Sequence, residues 1–465
     1  MPCHHRRVGR LPLAGALLAL VALLLVACGG SSGHGSPSGD ARKRAGTGTP
    51  SRGGGEAAAS GDEPAWTTYG GSASRAGVAP GAPSAPRLRR RFARDVDGEV
   101  YAQPLIAGGR IYVASENNSV YAFTTGGRLV WRRHLGAPVP GGDLPCGNID
   151  PSGITSTPVI AGGRLFAVAF LRSGHRHVLF GLRLRDGSVA VSANVDPPNA
   201  LVQQQRGALL AARGRVYVPY GGLFGDCGPY RGYVISTTQS GGARIAYRNP
   251  ATQAGIWAPA GISAQSRTLL VTTGNGGADT FGYQNSVIRL SLGLRRVAFW
   301  APPSFSELSA GDVDEGSLAP LPVSGGAVFQ IGKNGVGYLL RHSLGGVDGQ
   351  RFAAPLCTDG AFGADAFRAP LAIVPCGDAL YGLRIEGEHF RMAWRSRAGG
   401  RVPIITGNSV FTISRAGRLN QLRLNDGREI ASTVVGAGAT SYPAPAAAGH
   451  TLVAPASRRI VVFSM

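Results

Sequence analysis

The stretch Gln103-Pro104-Leu105-Ile106-Ala107-Gly108-Gly109-Arg110-Ile111-Tyr112-Val113-Ala114 continues through Ser119-Val120-Tyr121-Ala122-Phe123 and the turn Gly126-Gly127 to Leu129-Val130-Trp131. It is one copy of a repeated phrase: short apolar blocks, each ended by a Gly-rich or Asp-Gly turn. Further copies start near Thr157-Pro158-Val159-Ile160, Ala208-Leu209-Leu210, Ala258-Pro259-Ala260 and Ala319-Pro320-Leu321. The last three start near Ala361-Phe362-Gly363, Val402-Pro403-Ile404 and Tyr442-Pro443-Ala444. Each unit spans roughly 40–50 residues, room for about four short strands. A lone unit of that size cannot bury both faces of its sheet, so the units must lean on one another around an axis. The expected fold is all-β: an eight-bladed β-propeller of four-stranded antiparallel blades, with function at the end of the axis. The unit around residues 361–394 aligns least well with the rest.

Length alone, 465 residues, would suggest about three domains, but the repeat makes one closed body of residues 64–465. The 71 Gly and 31 Pro suit a turn-rich β-protein, and no sustained helical period follows residue 62. Before the repeat, His4-His5-Arg6-Arg7 and Arg10 precede an apolar run at 11–27 that ends Leu25-Val26-Ala27-Cys28. This reads as a signal segment (1–27) with a bacterial lipobox, and lipid is expected on Cys28. The run of about 17 residues falls short of the roughly 20 a spanning helix needs. Residues 28–63 carry Gly, Ser, Pro, Thr and charges without apolar periodicity, the composition of a disordered tether. The expected setting is therefore the outer side of the cell membrane, held there through the lipid.

Without Cys3 and Cys28, four cysteines remain, and an exported chain would pair them in one of three ways. Cys146–Cys227 and Cys357–Cys376 are favoured, because each pair falls in the same or neighbouring blades. No C-x-x-C occurs to suggest a zinc site. The net charge of +21 is almost wholly arginine, since Lys43 and Lys333 are the only lysines. Export makes nucleic acid a poor partner; a protein, or an anionic envelope polymer, suits a basic exported surface better. Nothing in the sequence asks for more than a monomer.

The tryptophans fall into classes. Trp131, Trp300 and Trp394 close the outer strand of a unit and are expected to stitch blades together. Trp66 precedes the first full blade and is expected to help close the ring. Trp257, in Gly255-Ile256-Trp257-Ala258-Pro259, lies where the chain approaches the axis; it either plugs the channel or stacks on a planar ligand.

From about Trp66 to the C-terminus the sequence resembles the quinoprotein dehydrogenases, eight-bladed enzymes that hold pyrroloquinoline quinone (PQQ) on the axis. Residues 121–131 resemble their blade-docking repeat, with Thr124 where an Asp is usual. Gly255-Ile256-Trp257 and Val271-Thr272-Thr273-Gly274-Asn275-Gly276 are similar to segments supplying a Trp floor and an Asn ligand to calcium. Asp312-Val313-Asp314 resembles the segment with the catalytic Asp, and residues 331–340, including Lys333 and Asn334, the stretch that contacts the quinone oxygens. On that resemblance Trp257, Lys333 and Asn334 would bind PQQ, Asn275 and Asp312 would bind Ca²⁺, and Asp312 or Asp314 would act as base.

Departures accompany the matches. The segment 220–233 offers only Asp226 where an acidic ligand would be needed, no two cysteines are adjacent, and no C-x-x-C-H exists for haem. The chain also resembles the propeller lipoprotein of the outer-membrane β-barrel assembly machine, which is a scaffold. The favoured expectation is a membrane-tethered binding or scaffolding module that is not an enzyme; the alternative is a PQQ- and Ca²⁺-dependent dehydrogenase of an alcohol or sugar.

Overall fold

The computed structural model describes residues 63–465 apart from 278–279, 378 and 437–439. The expected signal segment, Cys28 and all of the expected tether except Glu63 lie outside them. The repeat folds as read, into eight antiparallel sheets, each a meander that starts at the axis and ends at the rim. Blade 1 is typical: Leu105–Ala107, Arg110–Ser115, Ser119–Thr124 and Leu129–His134 pair in that order. Blades 2 to 7 span residues 159–194, 210–248, 263–301, 321–355, 366–396 and 404–434. The sixth unit, irregular in sequence, is a complete blade of four strands. One short α-helix, Phe305–Ala310, interrupts the β-structure. Among the described residues no helix is long and apolar enough to cross a membrane.

Blade 8 joins the two ends of the described chain. Its inner strands, Ala446–Ala448, Thr451–Ala456 and Arg459–Ser464, come last in the sequence, and its outer strand is Arg89–Asp95. The ring is thus held shut by six residue pairs between Arg89–Asp95 and Arg459–Ser464. Closure falls to this strand rather than to the segment around Trp66. Trp66 belongs to a second device, a strap over residues 64–80 that crosses the axis and bonds the free edges of the inner strands. Trp66 exchanges two backbone hydrogen bonds with Ile106 of blade 1 (2.7 and 3.0 Å). Thr67 O accepts from Ile160 of blade 2 at 2.8 Å, Ala73 O from Ala264 of blade 4 at 2.7 Å, and Ala76 O from Phe367 of blade 6 at 2.7 Å. Buried Arg75 donates to Leu209 O of the segment leading into blade 3 (2.9 Å) and to Ile262 O of that leading into blade 4 (2.8 Å). The strap turns at Gly70-Gly71, both with positive φ, where a Cβ on Gly71 would come within 2.8 Å of the Trp66 ring.

Blade-to-blade packing explains the outer tryptophans. Trp131 and Trp394 each lie against a glycine of the next blade's last turn, Gly187 and Gly427, and donate Nε1–H to Leu184 O and Leu424 O at 2.9 Å. Trp300 instead donates to Gln350 Oε1 at 2.9 Å. Apolar clusters span neighbouring blades, as where Phe166 and Val168 of blade 2 meet Val216 and Val218 of blade 3. The disulfides are Cys146–Cys227, from the connection between blades 1 and 2 to a loop of blade 3, and Cys357–Cys376, between blades 5 and 6.

Alternation of strand direction gives the ring two distinct faces. The chain enters each inner strand, and passes from second to third strand, on the upper face. The turns from first to second and from third to fourth strand lie on the lower face.

Candidate functional site

On the upper face, four segments from blades 3 to 5 meet around Trp257. Ile256 N donates to Tyr220 O at 3.0 Å, and Gly274 N donates to Gly255 O at 2.8 Å, so the backbone beside Trp257 is held from both sides. Gly221 and Gly274 make the approach possible: a Cβ at Gly221 would lie 2.8 Å from Trp257 Cβ. One at Gly274 would lie 2.2 Å from Asp314 Oδ1 and 3.0 Å from Trp257 Nε1.

Lys333 reaches this point from the turn between the second and third strands of blade 5. Its Nζ is 2.6 Å from Asp314 Oδ2 and 2.9 Å from Asp312 Oδ1, and also donates to Asp312 O at 3.2 Å. It sits 5.7 Å from the centre of the Trp257 ring, within range of a cation–π contact. Asn275 completes the cluster, its backbone N–H donating to Asp314 Oδ1 at 2.6 Å and its Nδ2 to Asp312 Oδ1 at 2.9 Å. Asp314 is buried, which raises its pKa, while Lys333 and the Asn275 amide pull the other way. Burial alone would lower the pKa of Lys333; Asp314 and Asp312 more than reverse that, so the ammonium stays protonated. Asp312 is exposed, with a positive φ of 52°.

Trp257, Asn275, Asp312, Asp314 and Lys333 therefore stand together. Asn334 does not join them. Its Nδ2 turns to Glu315 Oε1 and to Tyr338 Oη (3.1 Å), behind the cluster. Glu315, which the sequence reading passed over, is fully buried; its Oε2 has no hydrogen-bond partner among the described residues, and burial pushes its pKa up to about 8. Buried Asn285 links the layers, donating to Asn275 Oδ1 at 3.2 Å and accepting from Glu315 N at 3.0 Å. The only sequence signal for Glu315 was its place after Asp314.

A separate small cavity is lined in part by Tyr69 of the strap, Thr157, Arg206 and Tyr442. Arg206 and Arg401 lie 5.2 and 5.5 Å from the Tyr442 ring centre.

The donor set does not fit a divalent cation. Calcium takes six to eight oxygens, carboxylates foremost. Here Asp312 and Asp314 are both ion-paired to Lys333, Asn275 Oδ1 faces an amide donor, and Asp226 accepts from Tyr230 Oη. No three His, Cys, Asp or Glu side chains gather as metal ligands among the described residues. Trp257 with Lys333 suits a flat, oxygen-bearing ligand better, offering an aromatic face to stack on and an ammonium to meet an oxygen.

Comparison with known proteins agrees on architecture. Residues 58–255 match the family described as "Outer membrane protein assembly factor BamB". Eight blades, and that match, place the chain among known folds. It is an eight-bladed β-propeller, similar over those residues to that family. Solved structures similar to it include the quinohemoprotein alcohol dehydrogenase of Comamonas testosteroni, at 14% identity and TM-score 0.66, covering 86% of this chain and 80% of that one. A europium-containing methanol dehydrogenase is 13% identical at TM-score 0.68, covering 86% and 98%. BamB from Moraxella catarrhalis is 14% identical at TM-score 0.55, covering 82% and 98%. Identities this low speak to the fold alone. No curated protein matches the sequence.

Proposed function

We propose that this PQQ-like propeller is an exported lipoprotein, tethered to the membrane through Cys28, that acts as a monomeric binding or scaffolding module for a protein or an anionic envelope polymer. One observation carries the reading: both carboxylates nearest Trp257, Asp312 and Asp314, are bonded by the chain's own Lys333 and Asn275, so neither stands free to ligate a metal that would activate a quinone. The match to an assembly factor over residues 58–255 supports it. The test is a titration of the protein with PQQ and Ca²⁺, followed by tryptophan fluorescence and by reduction of an artificial dye in the presence of alcohols. A module gives neither a saturable fluorescence change nor dye reduction.

The second reading, a quinoprotein dehydrogenase acting on an alcohol or sugar, is favoured by the meeting of Trp257, Asp314 and Lys333. On that reading Trp257 would stack on PQQ, Lys333 would stabilise charge on its oxygen, and Asp314 or Asp312 would take the alcohol proton; PQQ supplies the hydride acceptor. Both signals of the titration would then appear, and Lys333→Ala would abolish the dye reduction while the fold survives.

A further inference from the structure

The two faces of the ring are charged differently. Lower-face turns carry exposed arginines on blade after blade, among them Arg128, Arg213, Arg267 and Arg428 from blades 1, 3, 4 and 7. Several acids of those turns are already matched: Asp186 bonds Arg185, Asp426 bonds Arg423, and Glu388 lies near Arg351.

The densest group stands on blade 8. Arg87, Arg89, Arg90 and Arg91 are all exposed, at and just before the start of the closing strand Arg89–Asp95, which pairs with the end of Arg459–Ser464 on the lower side. Their guanidinium groups bond no other described residue. Protection of a sheet edge does not require them: the rim strand of blade 2, Val189–Asn194, and that of blade 7, Glu429–Val434, contain no arginine. Where the other rim strands carry arginine it is partly spent, as with Arg132 on Asp97.

The described chain also begins on this face. Pro64 packs by Gly81 and Gly449, the latter in the lower turn of blade 8. The described chain thus starts on the basic face, beside its most basic blade. The 34 residues between Cys28 and Glu63 could span at most about 120 Å, so a tether by itself would not orient the ring.

We infer that the lower face, with the Arg87–Arg91 edge, docks on an acidic phospholipid surface and turns the Trp257–Lys333 site outward. A plane engages charges spread over a disc at once, whereas a linear polyanion would meet only the blade 8 edge. The orientation rests on the lipid anchor at Cys28; the surface does not. The two are tested apart, the anchor by the mass of the mature protein from cells, the surface by a chain starting at Gly29, which holds every strand of the ring.

That chain is sedimented with vesicles of phosphatidylcholine alone or with about a third phosphatidylglycerol, at low and high salt. It should bind only the acidic vesicles and be released by salt. Each arginine near an acidic surface contributes roughly fivefold, so Arg89→Glu with Arg90→Glu should weaken binding on the order of hundredfold. Arg172→Glu with Arg176→Glu, on the upper face, should change it less than about twofold. Thermal melting reports folding; if the blade 8 variant unfolds, Arg128→Glu, Arg213→Glu and Arg267→Glu together give the same readout. Equal binding to neutral vesicles, no binding to acidic ones, or equal losses from both faces would overturn the proposal. Binding of soluble polyphosphate without vesicle binding would overturn it in favour of a linear polymer.

Discussion

Lys333 is one of two lysines in the chain and holds a buried carboxylate. Truncating one partner of such a pair leaves the other uncompensated. Lys333→Ala should therefore lower stability at neutral pH by about 2–4 kcal/mol in urea unfolding. The deficit should shrink on acidification, because Asp314, freed of the ammonium, takes up a proton more readily; a deficit independent of pH would contradict this. Glu315 titrates in the same sense. Its folded pKa of about 8 lies above the ordinary value of 4.5, so its contribution is fully present below about 4.5 and lost as pH rises to about 8. Glu315→Gln should flatten the stability profile between pH 5 and pH 8, removing a decline on the order of a few kcal/mol. Parallel profiles for parent and variant would rule out a buried, protonated Glu315. Trp257, Asn275, Asp312, Asp314 and Lys333 were legible one by one, as residue types in familiar phrases. Asn334 was legible only as Lys333's neighbour. Successive residues of a tight turn point different ways, so it faces Glu315 instead.

Blades dock through a large ring on a bare turn, and the turn glycine is what admits the ring. At Gly187 a Cβ would come within 2.6 Å of Trp131, whereas at Gly109, with a similar positive φ, it would meet nothing within 4 Å. Both alanine substitutions strain the backbone, but only one collides. Gly187→Ala should thus lose about 2 kcal/mol more than Gly109→Ala, read from paired thermal or urea melts; equal losses would mean that this contact does not tie blades 1 and 2. Strands and docking tryptophans could be read from the sequence because both recur at a fixed place in the repeat. The strap could not. Its bonds to the blades are mostly backbone to backbone, and backbone groups carry no residue signature. Arg75, one of 45 arginines, gives no hint in sequence that it is buried with four acceptors.

At the scale of the molecule, closure decides whether eight sheets make one body. The closing strand and the strap both lie within residues 64–95, so a chain starting at residue 96 loses the rim of blade 8 and every strap contact. It should elute as aggregate and melt without a cooperative transition; a sharp melt of a monomer would show that the remaining strands suffice. The sequence by itself determined the number of blades, their strand order and the docking residues. These follow from local periodicity and from the need of each sheet to bury two apolar faces. Only the tertiary structure decided which end of the chain closes the ring, that a strap crosses the axis, and that Lys333 pairs with both Asp312 and Asp314. Those outcomes depend on distances between segments far apart in sequence. Such distances are set by how the wedges lean together, and a linear pattern of residues does not record them.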